Sequence, residues 1–118
     1  MTPEQLKRRT KAFAVKIVHF AATLPTDIVT TTIVRQLVSS GTAVGANYRS
    51  SCRAKSRPDF ISKLTTAEEE ADETQYWLEL LVDASIARPD AVAVLVDEAE
   101  QLVRIFVASI KTARGFSR

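Results

Sequence analysis

The sequence predicts an all-α fold, an antiparallel up-down-up-down four-helix bundle, on three observations. Apolar residues recur at three- and four-residue spacing through four separate stretches. Helix-starting and helix-stopping residues fall between those stretches and not inside them. Strand-like alternation of apolar and polar residues competes nowhere. Connections of a few residues force successive helices to lie antiparallel, and residues 1–118 read as a single domain without repeat, low-complexity tract or linker.

Thr2 is placed to cap the first helix, with Pro3 at its first position and Gln5 completing a capping box; Leu6, Phe13, Ile17, Phe20 and Leu24 form its stripe up to Pro25. Thr26 or Asp27 caps the second helix, whose stripe is Ile33, Leu37, Ser40 or Gly41, Val44 and Tyr48, running on to about Lys55. The β-branched run from Ile28 to Val34 weakens helix propensity at its start, so burial must hold that turn. Ser56 and Asp59 open the third helix, with Phe60, Leu64, Ala67, Ala71, Thr74, Leu78 and Leu81 inward. The fourth follows Arg88-Pro89-Asp90, carries Val92, Leu95, Ala99, Leu102, Phe106 and Ile110, and ends at Gly115.

Composition narrows the function classes. One cysteine, Cys52, excludes an intrachain disulfide framework and any Cys-based cluster, and suits a reducing cytoplasm. No apolar run approaches the roughly 20 residues that span a bilayer. A di-iron centre in the bundle core needs Glu-x-x-His pairs on two helices, and the chain has one histidine, His19. No nucleophile–base pattern, metal-ligand set or Gly-rich phosphate loop is present, so neither catalytic residue, metal nor cofactor is expected. His19, beside Phe20, reads as a partly buried or interface imidazole, and Cys52 as a small semi-buried residue.

Charge is unevenly spread. Residues 1–57 hold ten Lys and Arg against Glu4 and Asp27, a sum of +8, whereas residues 58–83 hold Lys63 against eight acids, a sum of −7. Two outcomes are open: the halves pair internally, or the basic half presents a polyanion surface. Gly41 and Gly45, one turn apart within a helix, each cost about 1 kcal/mol relative to Ala, so close packing must compensate, and antiparallel pairing sets them opposite about Glu68–Glu73 of the third helix. A notch for a ligand or a neighbouring subunit is the alternative. Asn47, Arg49, Glu70 and Glu73 are a candidate polar layer fixing helix register, or a partner patch. Tyr76 and Trp77 point about 100° apart on a helix, so one must leave the core and mark an oligomer interface.

Distinctive residues concentrate at Arg35-Gln36-Leu37, Ser40-Gly41-Thr42-Ala43-Val44-Gly45-Ala46-Asn47-Tyr48-Arg49, Asp59-Phe60-Ile61-Ser62-Lys63-Leu64 and Glu70 to Leu81. This pattern resembles the bacterial four helix bundle proteins, also called 23S rRNA intervening-sequence proteins because some are encoded inside insertions in that gene. The sequence departs from the family pattern at Ser50-Ser51-Cys52 and at Pro58. The resemblance implies a left-handed bundle that assembles as a homopentamer, without enzymatic activity and with a connection to RNA or the ribosome. Such a ring would repeat the basic residues Lys7, Arg8, Arg9, Lys11 and Lys16 and so engage several phosphates together. The alternative is a protein–protein scaffolding module in which the charges pair internally. A charge-reversed amino-terminal cluster separates the two, since it loses RNA but keeps a protein partner.

Overall fold

Thr2 and Pro3 start the first helix as the sequence predicts, and the computed structural model, which describes residues 1–115, continues it as α1, Pro3–Ala21. The Thr2 hydroxyl accepts from the Gln5 amide at 3.1 Å, and the Gln5 side chain accepts from the Thr2 amide at 2.8 Å, closing the capping box. Asp27, not Thr26, caps α2, Ile28–Ser51, its carboxylate accepting from the Thr30 amide at 3.0 Å. The predicted run to Lys55 stops four residues early. Ser51 donates to the Tyr48 carbonyl at 2.6 Å, and Arg53 and Ala54 close three-residue turns on Ser50 and Ser51, tightening the chain out of the helix. Ser56 then caps α3, Arg57–Asp83, and Pro89 opens α4, Pro89–Ala113, which Gly115 terminates at φ 80°.

The turn between α3 and α4 is a Schellman motif without glycine. The Ile86 amide returns to the Leu81 carbonyl and the Ser85 amide to Val82, with Ser85 at φ 60° in the left-handed region. Ile86 in turn packs against the core. A non-glycine residue in that conformation costs about 1–2 kcal/mol. Ser85→Gly is therefore expected to raise stability by about 1 kcal/mol, read as a higher urea midpoint at unchanged slope.

All four predicted stripes face inward. The α4 positions Val92, Leu95, Ala99, Leu102, Phe106 and Ile110 are buried, as are Leu64, Ala67, Ala71, Thr74, Leu78 and Leu81 of α3, and the Phe106 and Tyr48 rings meet at 5.9 Å across the core. Each fully buried Leu, Ile or Phe side chain contributes roughly 1.5–3 kcal/mol of apolar transfer. Phe20, in the last turn of α1, and Leu24, beyond its end, are only half-buried, as are Ile33 of α2 and Phe60 of α3 near the starts of their helices. Thr10, absent from the predicted stripe, is buried against α2, its hydroxyl satisfied by the Lys7 carbonyl at 3.1 Å. Among the described residues, one buried side-chain hydrogen bond joins two helices: the Thr74 hydroxyl donates to the Ser40 hydroxyl at 2.9 Å, tying α3 to α2.

Each helix packs on the next in sequence, and α1 touches α4 much more sparsely, in a body of 46 × 25 × 20 Å. Four helices in this contact pattern form a four-helix bundle. Near the amino terminus of α1 the sparse side opens into an end hollow of about 810 Å³ lined by Leu6, Tyr48, Cys52, Phe60, Ile105 and others. Among the described residues, no helix is long and apolar enough to cross a membrane.

Candidate functional site

The α1–α2 seam carries the site, and its glycines explain why. Gly41 and Gly45 face α1, not α3: a Cβ on Gly41 would stand 2.9 Å from Ile17, and one on Gly45 would stand 3.2 Å from Thr10. The predicted position opposite Glu68–Glu73 is thereby corrected. It is Ser40, one residue before Gly41, that reaches α3. Residues one apart on a helix point about 100° apart, so Ser40 and Gly41 serve different neighbours.

Along this seam Thr10, Ala14, Thr42, Gly45 and Ala46 form the floor of a groove of about 430 Å³. Thr42, Gly45, Ala46 and Arg49 recur at three and four residues, so they share one face of α2, and Arg53 continues that line in the turn just beyond the helix. Lys7, Arg8 and Lys11 supply the α1 wall. Five cations thus border a floor of small side chains. The one carboxylate on the lining among the described residues, Glu4, pairs with Lys7 at 3.2 Å. Arg8, Lys11, Arg49 and Arg53 have no acidic partner among the described residues.

Two members of the predicted basic cluster do not join this groove. Arg9 turns to α4, where its Nε and Nη2 donate to the Glu98 carboxylate at 2.7 and 2.8 Å and Nη2 also donates to Gln101 at 2.8 Å. It is a structural clasp, not a free cation. Lys16 lies two turns after Arg9 on the same flank of α1 and is exposed outside the groove.

The expected internal pairing of basic half and acidic segment does not form. Among the described residues, no ion pair joins residues 1–57 to residues 58–83. Glu69, Asp72, Glu73, Glu79 and Asp83 are exposed on one side of α3, at helical spacing, with Tyr76 among them. Opposite charges therefore occupy separate surfaces.

Two comparisons with known proteins cover nearly the whole bundle. The model of the family described as 23S rRNA-intervening sequence protein matches residues 4–108. The chain belongs to this family. Its architecture is also that of the crystal structure, at 1.70 Å resolution, of a protein with unknown function from the S23 ribosomal protein family of Bacteroides thetaiotaomicron. The two are 33% identical, with 94% of this chain and 99% of that one covered and a TM-score of 0.87. No curated protein matches.

In this family member the predicted polar layer of Asn47, Arg49, Glu70 and Glu73 is dispersed. The Asn47 amide donates to the Ala43 carbonyl of its own helix at 2.9 Å, Arg49 lines the basic groove, and Glu73 accepts from the Trp77 indole at 3.2 Å. Asn47 and Glu73 find partners on their own helices, and no hydrogen bond or ion pair among the described residues joins the four into a layer. The aromatic pair divides as expected: Tyr76 is 57% exposed, while Trp77 packs against the core and meets the Tyr76 ring edge-on at 5.0 Å. Cys52 is half-buried as expected, whereas His19 is exposed and not partly buried within the bundle, since it follows the buried Ile17 by two residues and so points away from the core.

Burial, followed by the nearby charges of Glu73 and Glu69, holds the Glu70 carboxyl above its ordinary range. A raised folded-state pKa means that the ionised form is disfavoured on folding, so Glu70 subtracts stability at neutral pH and ceases to do so once it is protonated in both states. Glu70→Gln is expected to raise the Tm modestly at pH 7. The gain should vanish below about pH 4, where glutamate is protonated in the unfolded chain as well; paired thermal melts at the two pH values check this.

Proposed function

We propose that the protein is a non-enzymatic bundle that binds polyanions, RNA foremost, through the α1–α2 groove and without sequence preference. The observation that carries this reading is the convergence of Lys7, Arg8, Lys11, Arg49 and Arg53 around one groove whose single carboxylate is already paired. A cation with no acidic partner keeps its full attraction for phosphate, and several on one strand release counterions together. Membership in a family tied by name to 23S rRNA is in keeping with such a ligand.

Charge reversal tests it. Arg49 and Arg53 are exposed, so Arg49→Glu/Arg53→Glu is expected to melt like the parent yet bind labelled RNA at least about tenfold more weakly at low salt. Lys111→Glu, on an exposed part of α4 outside the groove, should change little. Equal affinity of the double variant and the parent rejects the reading.

Self-association is a second reading, supported by the exposure of Ile28, Val29, Tyr76 and Val94, of which Ile28 is 84% accessible. A homopentamer, the state implied by the family resemblance, would repeat the groove five times over and raise avidity for a long polyanion. Sedimentation at micromolar concentration showing only a monomer would remove it.

A further inference from the structure

The groove runs between two packed helices and, among the described residues, carries no aromatic side chain, and these features specify its ligand more closely than charge alone. The axes of two packed helices lie about 8–10 Å apart, so the depression between them is a slot of side-chain width. A nucleic-acid duplex, whose major groove alone measures about 12 Å across, is too broad to enter it and would touch only the rim. One sugar–phosphate strand fits between the walls, with Lys7 and Lys11 on one side and Arg49 and Arg53 on the other. Lys7 and Lys11 stand one turn apart, about 6 Å along the axis, so they meet successive positions on an extended strand.

Among the described residues, no Phe, Tyr, Trp or His lines the groove, so they offer bases no stacking platform there. The floor hydroxyls are committed as donors within their own helix: Thr10 to the Lys7 carbonyl at 3.1 Å and Thr42 to the Val38 carbonyl at 2.7 Å. Neither offers a proton to a base edge or a ribose 2′-hydroxyl. The Lys and Arg side chains then hold a strand chiefly through its phosphates.

Resting on the polyanion reading, we infer that the groove takes the backbone of a single-stranded nucleic acid, bases outward, with little regard to base or sugar. The protein should bind a short labelled oligouridylate at least about tenfold more tightly than a duplex of equal length, because only the strand enters the slot. Oligodeoxythymidylate and an abasic phosphodiester strand should compete nearly as well as oligouridylate. Because each phosphate neutralised on a single strand releases about 0.7 counterion and five cations line the groove, the log–log salt slope should be no steeper than about −3.5 per protomer.

Ala46 gives a steric control. It is exposed on the groove floor, so Ala46→Leu fills the slot, removes no charge and leaves a good helix former in place. Ala46→Leu is expected to lose about tenfold in single-strand affinity while keeping the parental melt. Duplex bound as tightly as single strand, or Ala46→Leu binding like the parent, would place the ligand on the rim and overturn the inference while the polyanion reading stands. Failure of both strand and duplex to bind would overturn the polyanion reading itself, and an abasic strand that fails to compete would show contact with the bases instead.

Discussion

Gly41→Leu is expected to lower stability by about 3 kcal/mol or more, enough to remove a large share of the roughly 5–15 kcal/mol that holds a domain of this size. The first added carbon already lies 2.9 Å from Cγ2 and 3.0 Å from Cγ1 of Ile17, and Ile17 is wholly buried, with no free volume to retreat into. Even Gly41→Ala, which gains up to about 1 kcal/mol of helix propensity, should come out destabilised by about 1 kcal/mol, since overpacking a filled site costs about 1–3 kcal/mol. Gly45→Ala is the internal comparison. Its Cβ would meet Thr10 at 3.2–3.4 Å, a contact eased by small shifts, so the propensity gain and the crowding nearly cancel. Urea unfolding of the three variants checks the order, Gly41→Leu far below Gly41→Ala and Gly45→Ala near the parent. A Gly41→Ala as stable as the parent would mean that α1 does not rest on this glycine.

That contact shows where the sequence was informative and where it was not. Periodicity and caps depend on neighbours in the chain, which is why Thr2, Ser56, Asp59 and Pro89 marked their boundaries, why the α4 stripe is buried residue for residue, and why the α3 stripe is buried from Leu64 on, with Phe60 at its start only half-buried. The glycines announced a close approach but not its partner, because both flanking helices are antiparallel neighbours of α2 and one-dimensional spacing cannot choose between them. The site suffered from the same gap. Arg49 and Arg53 are distant in sequence from Lys7, Arg8 and Lys11, and only the α1–α2 register brings them together. Arg49 was grouped instead with acids of α3. Arg53 stands out in the sequence only as one of ten bases in residues 1–57; its place on the face of Gly45 and Arg49 is the signal that points to the groove. The acidic face of α3 and the basic groove were visible as a charge imbalance, yet whether they would pair depended on which sides of the helices faced each other.

Arg9 supplies the second large expectation, because it lay within the basic cluster and serves the fold. Its fork–fork bond to Glu98, part-buried and extended by Gln101, spans the α1–α4 side where helix packing is sparsest. Truncating one partner strips a charged hydrogen bond and leaves the other charge in a half-buried setting, so Arg9→Met and Glu98→Met should each cost about 1.5–3 kcal/mol. The double variant removes both charges together and should lose less than the two losses added, with a coupling of about 1–2 kcal/mol read from urea unfolding. Additive losses would mean that the pair is mere surface decoration. Amide exchange in α1 should quicken most, as that helix then keeps its α2 seam and only sparse packing on α4. Affinity separates the two kinds of cation on α1. Arg9 does not line the groove, so Arg9→Met is expected to cost stability and leave polyanion binding nearly unchanged where the chain is folded, whereas Arg8→Met, on the groove wall with no acidic partner among the described residues, should weaken binding and leave the melt unaltered.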